Sequence, residues 1–154
     1  MLLLKKIVAV LALTIASSMA LTGCVSTIDD QTYNEISMIT VKTPEGRVEQ
    51  LFQKELERLI KPQSDSRYDL SARISSSRGD TSMAMTIKYT VYDQTKGEII
   101  INKSVSSSVS IGAVSSEFGE EQAFIHAEER LSINLAQKIY QRLLVFFSQQ
   151  QPQS

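Results

Sequence analysis

Residues 83–111, MAMTIKYTVYDQTKGEIIINKSVSSSVSI, decide the fold. Met83, Met85, Ile87, Tyr89 and Val91 alternate with Ala84, Thr86, Lys88, Thr90 and Tyr92. A period of two puts the first set on one face of a strand and the second on the other. Asp93 to Gly97 predicts a tight loop, with Gly97 free to take a positive φ. The following run places Ile99, Ile101, Val105, Val109 and Ile111 on one face, and Ile100, Asn102, Ser104, Ser106, Ser108 and Ser110 on the other. Upstream, Tyr68, Leu70, Ala72 and Ile74 alternate with Asp69, Ser71, Arg73 and Ser75. The turn-forming residues from Ser76 to Asp80 join that run to the next. Short loops between three such runs predict an antiparallel meander with one dry and one wet face.

Working outward, two amphipathic helices are available to cover the dry face. Thr43-Pro44-Glu45 reads as a helix start, with Thr as cap, Pro in the first turn and an acid at the positive end of the dipole. Val48, Leu51, Phe52, Leu56, Leu59 and Ile60 then recur at three- and four-residue spacing, and Pro62 ends the pattern. A second helix runs from about Ser116 to about Phe147. Its stripe is Phe124, Ala127, Leu131, Leu135, Ile139, Leu143 and Phe146, widened by Ala136, Tyr140 and Leu144. Ile36, Met38, Ile39 and Val41 mark a first strand within residues 35–42. The expected fold is therefore α+β, a two-layer sandwich in the order β-α-β-β-β-α, with a four-stranded sheet and both helices on one face.

The N-terminus carries an address. Lys5 and Lys6 precede a mostly apolar run from Ile7 to Ala20, shorter than the roughly 20 residues that span a bilayer. The run ends in Leu21-Thr22-Gly23-Cys24, which resembles the lipobox of bacterial lipoproteins. There the small residues admit the peptidase and the thiol accepts the diacylglyceryl group. Cys24 is the only cysteine of the chain. The resemblance implies a signal peptide over 1–23, a lipidated Cys24 with a polar tether over 24–34, a domain over 35–148 and a polar tail over 149–154. Two or more acyl chains hold firmly, because each buried CH₂ contributes about 0.8 kcal/mol. Val25 follows the cysteine. An aspartate at that position resembles the inner-membrane retention signal of enterobacterial lipoproteins, so valine implies sorting to the outer membrane.

Composition narrows the function. The chain has 154 residues, one His and one Cys, so a four-ligand Cys/His zinc site and an internal disulfide are both excluded. Its net charge is −1, and loss of Lys5 and Lys6 with the signal peptide makes it more acidic, which gives no basic nucleic-acid footprint. His126 has no nucleophile to activate and no serine elbow to serve, so no catalytic residue and no cofactor are expected.

Several stretches together resemble the LptE family of lipopolysaccharide-assembly lipoproteins, in its shorter alphaproteobacterial branch. They are GRVEQLFQKELERLI at 46–60, Tyr68-Asp69-Leu70, the hairpin TIKYTVYDQTKGEII at 86–100, and the final helix SSEFGEEQAFIHAEERLSINLAQKIYQRL at 115–143. Val25-Ser26-Thr27 departs from the glycine and aromatic that family members show after the cysteine. The resemblance implies a lipid-anchored outer-membrane protein on the periplasmic side. It would plug the LptD β-barrel, aid that barrel's assembly and handle lipopolysaccharide in transit.

On that expectation two sets of residues are candidates. The hydroxyl-rich wet face, with Ser75, Ser77, Thr86, Asn102, Ser104 and Ser106, suits docking in a polar barrel lumen. Arg73, Arg78, Lys88 and Lys103 could meet lipid A phosphates. Parity sets Lys103 on the dry face unless its strand bulges. The alternative function is an outer-membrane-tethered periplasmic regulator of a cell-wall synthase. A tether of about ten residues, at most roughly 35 Å long, counts against that reach.

Overall fold

The computed structural model describes residues 30–43, 45–112 and 116–150. The elements are α1 (Asp30–Ser37), β1 (Ile39–Lys42), α2 (Arg47–Ile60), β2 (Tyr68–Arg78), β3 (Ser82–Asp93), β4 (Glu98–Ser110) and α3 (Glu117–Gln149). The strands lie in the order β1-β2-β3-β4. β1 runs parallel to β2, while β2–β3 and β3–β4 are antiparallel. The α+β sandwich and the order from β1 to α3 are as expected. The expected signal peptide and the expected lipidation site, Cys24, lie outside the described residues.

β3 is the hub. Met83, Met85, Ile87, Tyr89 and Val91 are all buried beneath the helices. α3 lays Leu131, Leu135, Ile139 and Leu143 over the sheet, and α2 adds Phe52, Leu56 and Ile60. Where the two helices meet, Ser132 is buried and its hydroxyl donates to the Val48 carbonyl at 3.1 Å. A larger side chain there would hold the helices apart.

Five local expectations are corrected. Ser76, Ser77 and Arg78 belong to β2 and pair with β3, so the turn is confined to residues 79–81. Residues 30–34 are not tether: they belong to α1, whose Thr32 and Ile36, one turn apart, are both buried. β1 accordingly begins at Ile39 rather than Glu35. Eight residues are too few for a stable isolated helix, so the packing of α1 against α3 and α2 holds it. α2 begins at Arg47, not at Thr43, whose hydroxyl instead bonds Gln53 at 2.7 Å; Pro44 lies outside the described residues. At the end of α3 the buried aromatic is Phe147, which packs on Tyr68 with ring centroids 5.1 Å apart, while Phe146 is half-buried. Lastly, a register shift at Val91/Tyr92 opposes Val91 to Ile101 but Tyr92 to Ile99. The extra residue, Ile100, turns Ile99 to the wet face, where it is 58% exposed beside Tyr92.

Other features agree with the sequence. Gly97 has φ of 71° and closes the β3–β4 turn with its N–H to the Asp93 carbonyl at 2.8 Å. α2 ends at Lys61, in the left-handed conformation, just before Pro62. Ser116 caps α3 by accepting from the Gly119 N–H at 3.2 Å.

One polar cluster ties α1 to the sheet. Arg67 pairs with buried Asp93 at 3.0 Å and approaches Glu35 at 3.8 Å, and the Tyr68 hydroxyl donates to Glu35 at 2.6 Å. Asp93 also accepts from the Thr95 and Lys96 N–H groups. Burial raises the Asp93 pKa, but Arg67 and the two N–H donors outweigh it and hold the carboxyl below the usual range.

Two predictions follow from this packing. Leu135→Asp puts an unpaired charge at a fully buried position, at a cost of several kcal/mol, comparable with the stability of a small domain. Its thermal transition should be lost or fall far below that of the wild type. Because the Asp93 pKa is depressed on folding, its contribution is complete above the unfolded value of about 4 and disappears as pH falls through the native one. Asp93→Asn should therefore cost about 1–3 kcal/mol at pH 7 and flatten the loss of stability below pH about 4, measured by urea titrations across pH.

Candidate functional site

The face of the sheet turned away from the helices is uncovered among the described residues, and its side chains form cross-strand rows. Ser71, Thr90 and Asn102 share one row; Arg73, Lys88 and Ser104 the next; Ser75, Thr86 and Ser106 the third; Ser77, Ala84 and Ser108 the fourth. Within the third row the Thr86 and Ser106 hydroxyls bond each other at 3.0 Å, and the Ser75 hydroxyl donates to the Thr86 carbonyl at 3.3 Å. All six expected docking residues, Ser75, Ser77, Thr86, Asn102, Ser104 and Ser106, thus lie on one surface. Hydroxyls both donate and accept, so such a surface can exchange water for a polar partner at small cost.

The four expected cations do not stay together. Arg73 and Lys88 are direct cross-strand partners on the open face. Neither has an ion-pair partner among the described residues. Like charges placed opposite one another destabilise a sheet unless an anion lies between or over them. Lys42, on β1, joins them around a shallow depression of about 470 Å³, also lined by Ser71, Thr90 and Asn102. Lys42 itself pairs with Asp69 at 2.9 Å. Sequence reasoning missed Lys42 because only the β1–β2 pairing brings it to this surface.

Arg78 and Lys103 belong to the other side. Arg78 is opposite Met83, a core residue, so its side chain turns toward the helices. There it pairs with Glu121 at 2.9 Å and stacks over the Phe124 ring at 4.6 Å. Their hydrogen bond raises the Arg78 pKa and lowers that of Glu121. Lys103 is opposite Tyr89 and also faces the helix layer. The bulge at Ile100 precedes Lys103 and leaves the parity of Ile101, Lys103 and Val105 intact. Lys103 stays exposed because β4 is an edge strand.

No cluster of three or more potential metal ligands occurs among the described residues, and none of their helices is long and apolar enough to cross a membrane. His126 is exposed, 3.4 Å from Glu129 on the same helix.

Comparison with known proteins places the chain. The model of the LptE family, described as lipopolysaccharide-assembly, matches residues 28–143. No individual curated protein matches significantly by sequence. Among solved structures, a Caulobacter crescentus protein assigned as a lipoprotein superposes with a TM-score of 0.68 at 18% identity, covering 79% of this chain and 98% of that one. The rare lipoprotein B of Shewanella oneidensis gives 0.51 at 10% identity over 72% of this chain and 96% of its own. A minor lipoprotein from Acinetobacter baumannii gives 0.50 at 14% identity, covering 70% and 90%. At these identities the superpositions speak for the fold alone. The family match spans well over half of the chain, including every strand and most of α3, and on that match the chain belongs to the LptE family of lipopolysaccharide-assembly proteins.

Proposed function

We propose that this protein is a non-enzymatic outer-membrane lipoprotein, anchored through Cys24 on the periplasmic side. In this reading it plugs the LptD β-barrel, promotes the barrel's assembly and binds lipopolysaccharide. The observation that carries the reading is the family match together with an open hydroxyl-rich sheet face of the kind that a water-lined lumen accommodates. Arg73 and Lys88 are the residues assigned to lipopolysaccharide. Two adjacent unpaired cations suit a phosphate, which Arg grips with its fork and Lys with a point charge. Arg78 and Lys103 are withdrawn from that role, since one is engaged by Glu121 and both face away from the open sheet.

The early start of α1 bears on the alternative of a regulator reaching a cell-wall synthase. Only the residues between Cys24 and Asp30 separate the proposed anchor from the first helix. Fully extended they span about 20 Å, which keeps the domain at the membrane surface.

The lipid anchor predicts that Cys24→Ser accumulates as unprocessed precursor without incorporated palmitate, as labelling and gel mobility would reveal. Depletion should lower the amount of assembled barrel and admit large hydrophobic drugs. Photocrosslinkers at Thr86 and Ser106 should capture the barrel, and one at exposed Lys54 on α2 should not; the reverse pattern would move docking to the helices. Lys88→Glu gives the sharpest test, because its two effects have opposite signs. Relieving the repulsion from Arg73 should stabilise the fold by about 0.2–1 kcal/mol. The same change should weaken lipopolysaccharide binding in a salt-dependent way, since exposed charges are screened over about 8–10 Å. Arg78→Glu should leave binding intact. Equal binding by wild type and Lys88→Glu would remove the phosphate role.

A further inference from the structure

At the β4 edge of the sheet, backbone carbonyls are held by side chains rather than by a strand. β4 is the last strand in the order, and its ladder to β3 occupies only one side of it. The Ile111 N–H bonds the Thr81 carbonyl at 2.8 Å, so odd-numbered residues of β4 point their backbone groups at β3 and even-numbered ones point outward. Two of the outward carbonyls are met by cations from α3. Arg142 donates to the Ser104 carbonyl at 2.8 Å, and Lys138 approaches the Ser106 carbonyl at 3.5 Å and the Ser107 hydroxyl at 3.2 Å. These contacts satisfy acceptors that a neighbouring strand would otherwise take.

The surroundings of this edge are strongly of one sign. Lys103, Lys138 and Arg142 line its helix side, and none has a carboxylate partner among the described residues. α3 passes beside the edge and supplies a floor for another strand. A depression of about 430 Å³ is lined by Lys138, Gln141, Arg142 and Val145, and Val145 is 55% exposed. A second, of about 560 Å³, lies between Ile100, Lys103, Arg142 and Phe146.

We propose that the edge of β4 from Asn102 to Ser108 docks an extended acidic segment of a partner protein as a fifth strand. The incoming N–H groups would replace Arg142 and Lys138 at the Ser104 and Ser106 carbonyls. The released cations would then pair with carboxylates at every second position of the segment, those facing α3. The same charges discriminate between occupants. A second copy of this chain, aligned edge to edge, would bring Lys103, Lys138 and Arg142 against their own copies, and a basic or neutral edge is deterred likewise. The edge uses the backbone of Asn102, Ser104 and Ser106, whose side chains lie on the open face, and the proposal does not depend on the barrel reading.

The test uses the mature lipidated chain in mild detergent and a fluorescent heptapeptide of alternating threonine and glutamate. Fluorescence anisotropy should show saturable binding, about tenfold or more tighter than for the threonine–lysine counterpart. Hydrogen exchange should slow at the amides of Asn102, Ser104, Ser106 and Ser108, and not at those of the β1 edge. Arg142→Gln keeps a donor for the Ser104 carbonyl and should lose much of the acidic preference, while Lys138→Glu with Arg142→Glu should reverse it. Three results would overturn the proposal. The first is no slowing at the edge amides with millimolar peptide. The second is equal binding by a peptide methylated on its backbone nitrogens, which would mean charge attraction without strand addition. The third is protection that appears on concentrating the chain alone, which would assign the edge to a second copy.

Discussion

Everything in this molecule depends on the alternation of β3. Its odd-numbered residues from Met83 to Val91 are fully buried, and its even-numbered ones face solvent or lie half-exposed. A two-residue period cannot serve two dry faces, so the sheet must be covered on one side and open on the other. α3 supplies most of the cover, α2 supplies the rest, and α1 closes the end near the start of β2. The open hydroxyl-rich face is thus the unavoidable complement of the core.

The open face is a lattice of hydroxyls with one discordant feature, the opposed pair Arg73 and Lys88. Several other cations are paired: Arg67 meets Asp93 and Glu35, Arg78 meets Glu121, Lys42 meets Asp69, and Arg47 meets Glu129. A like-charged pair left in the middle of such a surface is the observation behind the anion site proposed above. The β4 edge carries the same signature in another form, cations whose present partners are backbone carbonyls.

Family membership and geometry contribute different things. The family match assigns the chain to lipopolysaccharide assembly without saying which side chains act. The geometry sorts four candidate cations into two that share the open face and two that do not, and adds Lys42, Lys138 and Arg142, which no motif marks.

How much was legible beforehand follows from the range of each interaction. The strands β2 to β4, the two long helices, the meander and the buried face were readable because side-chain periodicity is local and repeats over ten or more residues. α1 was hidden, since eight residues carry too little periodicity and are held only by contacts with α3 and α2. The fate of Ile99 was hidden as well, because a bulge is a mismatch between two strands and belongs to neither alone. Arg78 and Lys103 were placed by which strand lies beside them and which helix lies beneath. By itself the sequence determined the three long strands, the two long helices and the dry face. Only the tertiary structure decided which charges are paired and which stand free, because pairing depends on distances between residues far apart in the chain.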